Sequence, residues 1–315
     1  MRFLVVLIIV ILCATTFAGV GIKGKPYHLV GNEAEVRMNP VWSPDGTMIA
    51  FTSSNFIGLW ITDSEAKNIR QISDELSAGY GFQWASDAKA IAYKVSKYDG
   101  FRRFNALKIY TLDNGSSRQL TDYMLRFSGF PHWDRRNQNI LFPEKNSVKV
   151  FSTGRKVSKL GNDDTQNRIC FLQSNKIHVY DPETKQMNMI EPFKDSRYLD
   201  ATFSPDRKYI AFQVVGGHMF IIGSDGNDVV DLGPGHRPRW SPDGNRLVYM
   251  ICEDDGYQFT RSDLYVINKD GTEKQRLTYS DDAFEMNPDW SPAGNAIAYD
   301  RLDTGAIYVL ELTEE

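Results

Sequence analysis

The chain has 315 residues, 42% hydrophobic and 24% charged, with a formal net charge of −4. These proportions exclude a disordered chain, and the lack of a basic excess excludes the electrostatic footprint of a nucleic-acid binder. The length fits one large domain or two ordinary ones, and 15 Tyr, 18 Phe and 6 Trp favour strands, where flat rings pack on a pleated surface.

Residues 1–18 read as a secretory signal. Arg2 opens a short basic start, Leu4 to Leu12 is an unbroken apolar run too short to span a bilayer comfortably, and Thr16-Phe17-Ala18 offers a cleavage site after Ala18. A retained membrane anchor is the alternative. A lipoprotein at Cys13 would need a small residue where Leu12 stands. Cleavage leaves 35 bases against 40 acids, a net of −5, and two cysteines, Cys170 and Cys252. These two fall in equivalent strands of different repeats, which predicts free thiols rather than a disulfide, although an exported chain would tolerate one.

From residue 27 onward the chain repeats itself. Trp42-Ser43-Pro44-Asp45-Gly46 recurs as Phe203-Ser204-Pro205-Asp206-Arg207, Trp240-Ser241-Pro242-Asp243-Gly244 and Trp290-Ser291-Pro292-Ala293-Gly294, with weaker copies at Trp84 and Trp133. Seven positions after each anchor stands an aliphatic residue (Ile49, Ile91, Ile140, Ile210, Leu247, Ile297). Two further on stands an aromatic one (Phe51, Tyr93, Phe142, Phe212, Tyr249, Tyr299). The same rule finds a hidden copy at Ile169 and Phe171, with Asn162 at the anchor position.

A repeat of roughly 42 residues is the signature of propellers and solenoids. Each copy reads as four strands, with a Ser-Pro-Asp-Gly turn joining the first to the second. The last copy stops at its third strand, and Tyr27-His28-Leu29-Val30 resembles the missing fourth. The expected fold is therefore all-β: a seven-bladed β-propeller filling residues 19–315, its last blade closed by the N-terminal strand. Six blades, with the fourth copy as an elaborated loop, is the alternative. Closure removes the exposed edge that an open sheet presents.

The anchor followed by Ile-Ala-Phe or Ile-Ala-Tyr resembles the repeat of TolB-like propellers over about residues 27–312. That resemblance implies an envelope protein whose propeller binds protein partners, as TolB binds a peptidoglycan-associated lipoprotein. TolB itself carries an additional N-terminal α/β domain and six blades, whereas this sequence has a lead of about eight residues and seven copies. Related propellers accompany the catalytic domain of prolyl-oligopeptidase-type peptidases. Seven-bladed relatives include oligogalacturonate lyases, which use a metal held by His residues.

Ligands of propellers bind at the channel mouth, where loops lead into first strands. Positions three and five before each anchor, with nearby histidines, make Arg37, Asn39, His132, Asp200, His236, Arg237, Glu285 and Asn287 the candidate ligand-binding residues; Ser128 occupies one of the same positions. Capping of strand ends around the ring is the competing role for this mixed-charge set. Two long second-to-third connections supply candidate partner anchors, Tyr98, Phe101, Arg102 and Phe104 on one and Tyr257 and Phe259 on the other. Local packing over the blade tops is the alternative there. Glu253-Asp254-Asp255 is consecutive and lacks the alternating spacing of a calcium loop. The five histidines form no His-Glu-x-x-His pattern, and no Gly-x-Ser-x-Gly elbow occurs.

The expectation is an exported, periplasmic or secreted, monomeric protein-binding or peptide-binding platform with no cofactor, no metal and no catalytic set. A metal-dependent carbohydrate lyase is the alternative.

Overall fold

A computed structural model of the chain describes residues 19–125, 127, 129–145, 147–156, 167–256, 259–280 and 283–314. The signal segment, Ser128, Asn162, Tyr257, the side chain of Phe259 and most of the expected strand at 156–160 lie outside the described residues.

The sequence repeat is a strand pairing. In six copies the anchor sits directly opposite the aliphatic residue seven positions on: Trp42 on Ile49, Trp84 on Ile91, Trp133 on Ile140, Phe203 on Ile210, Trp240 on Leu247 and Trp290 on Ile297. The turn between them is closed by its own polar side chains. In the first copy Gly46 N–H donates to Ser43 O at 2.9 Å, Ser43 Oγ donates to Asp45 at 2.7 Å, and Met48 N–H donates back to Ser43 Oγ at 2.9 Å. Gly46 holds φ at 71°, a left-handed value that glycine takes without strain.

Seven antiparallel sheets result, one per repeat. The inner strand of blade 7, Glu285–Trp290, packs against that of blade 1, Met38–Trp42, and against that of blade 6, His236–Trp240, so the ring is closed. The seven-bladed count holds, and the hidden copy supplies a blade of its own: Ile169–Gln173, Lys176–Tyr180 and Met187–Ile190. Neighbouring blades bury both faces of the second strands most completely. Ile49, Ala50 and Phe51 are all 0% exposed, as are Ile91, Ala92 and Tyr93, so second strands are apolar on both faces. Cys170 and Cys252 are free thiols in equivalent second strands of blades 4 and 6.

The anchor Trp does more than end a strand. Its indole N–H crosses to the preceding blade and donates to the carbonyl of the residue just before that blade's anchor. Trp84 reaches Val41 O at 3.2 Å, Trp133 reaches Gln83 O at 2.9 Å, and Trp240 reaches Thr202 O at 3.2 Å. At the closing blades the pattern changes. Trp290 bonds Gly294 O of its own turn at 3.0 Å, and the buried Trp42 Nε1 has no partner.

The N-terminus closes blade 7 with two strands rather than one. Tyr27–Gly31 pairs with the first half of Ala306–Glu314, as expected, and Val20–Ile22 pairs with its end. Val20 is 5% exposed and lies in the core shared by blades 6 and 7. Its N–H and C=O are both held by the Gln275 side chain, at 3.2 and 2.7 Å. No helix among the described residues is long and apolar enough to cross a membrane.

Candidate functional site: the channel mouth

The two expected site positions behave differently. Three residues before the anchor the inner strand bulges: Asn39, Asp200, Arg237 and Asn287 have φ of 55°, 54°, 57° and 50°, and the pairing register shifts around each. Gly81, the blade 2 counterpart, has φ 74°. Such bulges re-aim a side chain and recur beside functional sites. Five residues before the anchor, the chain is packed between blades. Tyr198 and Glu285 are each 2% exposed, and a Cβ on Gly79 or Gly235 would meet side chains at 1.8 or 2.5 Å. Glu285 is held there by the Thr278 and Ser280 hydroxyls at 2.9 and 3.1 Å, and burial pushes its carboxyl up. Arg37 instead stacks on Trp60, 4.5 Å from the ring centroid.

A residue class absent from the sequence reading supports the bulges. Ten positions after the anchor, just past the apolar run of the second strand, stand Thr52, Lys94, Gln213, Met250 and Asp300, all buried. Each reaches the incoming strand of the next blade. Asp300 Oδ1 accepts Asn39 N–H at 2.7 Å and Asn287 Nδ2 at 3.0 Å. Met250 Sδ accepts Asn287 N–H at 3.4 Å, Gln213 Nε2 lies 2.8 Å from His236 Nδ1, and Lys94 Nζ donates to Gly129 O at 3.2 Å. Burial pushes Asp300 up to about 7 and Lys94 down to about 8, and holds His236 below its ordinary value. A polar residue directly after an Ile-Ala-aromatic run was the signal available in the sequence.

The mouth has two unlike walls. Blades 5, 6, 7 and 1 contribute charge: Asp200 lies 4.0 Å from Arg237, and one position from each anchor Arg239 lies 3.8 Å from Asp289. Asp289 accepts Trp42 N–H at 2.7 Å, and burial pushes it up to about 6. Blades 1, 2 and 3 contribute rings: Tyr80 lies 5.0 Å from Phe56 and 5.1 Å from Phe130, and Lys94 Nζ sits 4.9 Å from the Phe130 centroid. Gly81 permits this shelf, because a Cβ there would stand 2.1 Å from the Phe130 ring. Phe56 itself has φ 56°, a costly conformation for an aromatic residue of the kind that clusters at ligand sites.

His132 sits one position before Trp133, 6.4 Å from the Phe171 ring, and burial holds it down at about 4 as neutral imidazole. Among the described residues no three His, Cys, Asp or Glu side chains are grouped to hold a metal ion, and His132 and His236 belong to blades 3 and 6. The described residues therefore do not fit a His-held metal. Of the long connections, Tyr98, Phe101 and Arg102 are exposed and Phe104 is half-buried.

Comparison with solved structures places the architecture. The crystal structure of TolB from Acinetobacter baumannii superposes with a TM-score of 0.55 at 18% identity, covering 81% of this chain and 57% of that one. The fold is a TolB-like propeller. An oligogalacturonate lyase in complex with manganese shares the fold as well, with a TM-score of 0.50 at 14% identity over 93% of this chain and 79% of that one. In sequence, the Tol-Pal system protein TolB of Alcanivorax borkumensis is 38% identical over 61 residues, which is 19% of this chain and 13% of that protein. No protein-family profile matches the chain.

Proposed function

We propose that this TolB-like propeller is an exported, non-catalytic platform in the cell envelope, periplasmic or secreted, that binds a protein or peptide at its channel mouth. The observation that carries the reading is an asymmetry of the surface. Among the described residues sixteen large apolar side chains are exposed; eight of them stand on the loops leading into inner strands or on second-to-third connections, and two more, Tyr98 and Leu199, at the strand ends beside those loops, all at the mouth face. They include Tyr80, Leu199, Tyr279 and Leu302. Apolar side chains gathered on one face mark interaction sites.

The mouth offers such a partner both kinds of contact. The Phe56, Tyr80 and Phe130 rings suit an apolar side chain, while Asn39, Asp200, His236, Arg237 and Asn287 offer polar partners to a peptide backbone. The long blade 2 hairpin with Tyr98, Phe101, Arg102 and Phe104 flanks it as a further contact; the other expected anchors, Tyr257 and the Phe259 side chain, lie outside the described residues. The similarity to TolB structures supports the protein-binding class through fold. A pull-down from an envelope fraction with wild type and with a Tyr80→Ala, Arg237→Ala double variant tests the reading. Loss of one or more captured proteins from the variant is expected, and identical captured sets would sink the proposed mouth.

A further inference from the structure

The outermost turn of the blade 2 hairpin carries a chemistry that the mouth does not. Second strands begin six residues after the anchor in every complete blade. Those of blades 1, 5 and 7 end within five or six residues, at Thr52, Val214 and Arg301, whereas that of blade 2 runs for ten, Ala90–Asp99. Four more residues at ~3.4 Å each lift the hairpin tip about 14 Å above the mouth face. Every residue from Lys97 to Arg103 is exposed. Phe101 at the apex is fully exposed, at 106%, and Tyr98 is 60% exposed. Around them stand three bases, Lys97, Arg102 and Arg103, against one acid, Asp99, in a chain that is otherwise net acidic. Lys97 and Arg103 brace the stem: Lys97 Nζ lies 4.2 Å from the Tyr123 ring centroid, and Arg103 donates to the Ser77 and Ser96 hydroxyls.

We propose that this tip docks on an anionic lipid surface. A fully exposed aromatic flanked by bases matches the interface of such a surface, where rings enter the headgroup boundary and Lys or Arg meets negative headgroups. No neighbouring side chain covers Phe101, and the local positive charge selects against neutral surfaces. The blade 6 hairpin carries Glu253, Asp254 and Asp255 with only Arg261, paired to Glu253, among its described bases, so it lacks the basic excess of the blade 2 tip. The height of the tip keeps the mouth clear of the surface. The contact is single and reversible, since one inserted ring with a few bases anchors weakly.

The test uses residues 19–315, because every described blade and both closing strands lie within 19–314 and the apolar run Leu4–Leu12 would bind lipid by itself. Sedimentation is measured with phosphatidylcholine vesicles and with vesicles containing phosphatidylglycerol, at low and high salt. Binding is expected only to the phosphatidylglycerol vesicles and should fall at high salt. Phe101→Ser should weaken it by roughly tenfold or more, and Arg102→Gln by about fivefold. Met189→Ser, on the outer strand of blade 4, should leave it unchanged. Equal binding to both vesicle types, or unchanged binding by Phe101→Ser, overturns the proposal. Absence of binding to either vesicle also overturns it and assigns the tip to a protein surface. The envelope pull-down reads the mouth separately, so either idea can fail without the other.

Discussion

Replacing Asp300 with Asn should remove a pH dependence that the ring seam builds in. The Asp300 carboxyl is 3% exposed and joins blade 7 to blade 1 through Asn39 N–H. Burial, opposed only in part by its hydrogen bonds and by Arg237, pushes it up to about 7 from the ordinary 3.8. Between those values the folded chain keeps a proton that the unfolded chain has lost, so the stabilisation present below pH 4 disappears as pH rises through 7. Three units at ~1.36 kcal/mol each give a loss of roughly 4 kcal/mol by pH 8. Asp289 acts in the same direction up to about pH 6. Asparagine can still accept from Asn39 N–H and does not titrate. In urea melts of residues 19–315, Asp300→Asn should match wild type near pH 4 and exceed it by up to about 4 kcal/mol at pH 8. Parallel pH profiles for the two proteins would refute the burial argument.

Two further substitutions probe how blades are joined. Trp240→Phe and Trp42→Phe delete similar volumes, but only Trp240 uses its indole N–H across a seam. Trp240→Phe should therefore cost about 1–2 kcal/mol more in urea melts; equal costs would remove the indole from the account of blade joining. Gln275→Ala frees both backbone groups of Val20. It should lower stability by about 1–3 kcal/mol and speed amide hydrogen exchange across Val20–Ile22 before the rest of the ring, and exchange that is unchanged there would contradict the clasp.

The fold was legible because the spacing of seven is a physical pairing: the anchor and the aliphatic residue face each other across a hairpin. The rule therefore survived in the fourth copy, where Ile169 and Phe171 are 4% and 6% exposed. The strand Val20–Ile22 was not legible. It is three residues long with a central glycine, and its pairing lies at the far end of the chain. The mouth was legible in part. Asn and Asp tolerate left-handed backbone and could have flagged Asn39, Asp200 and Asn287, but Arg237 gives no such hint. Spacing alone could not separate the bulged position from the packed one, so Asn39 and Glu285 looked equivalent although the structure buries Glu285 between blades. Asp300, Gln213 and Lys94 escaped notice because each stands in a strand that otherwise reads as core.

The central claim, capture of a partner at the mouth, is tested most directly by a photocrosslinking residue placed in the protein within its native envelope. At Phe130, on the aromatic shelf, it should yield a discrete protein adduct. At Met189, 58% exposed on the outer strand of blade 4, it should not. The same adducts from both positions, or none from Phe130, would contradict the account.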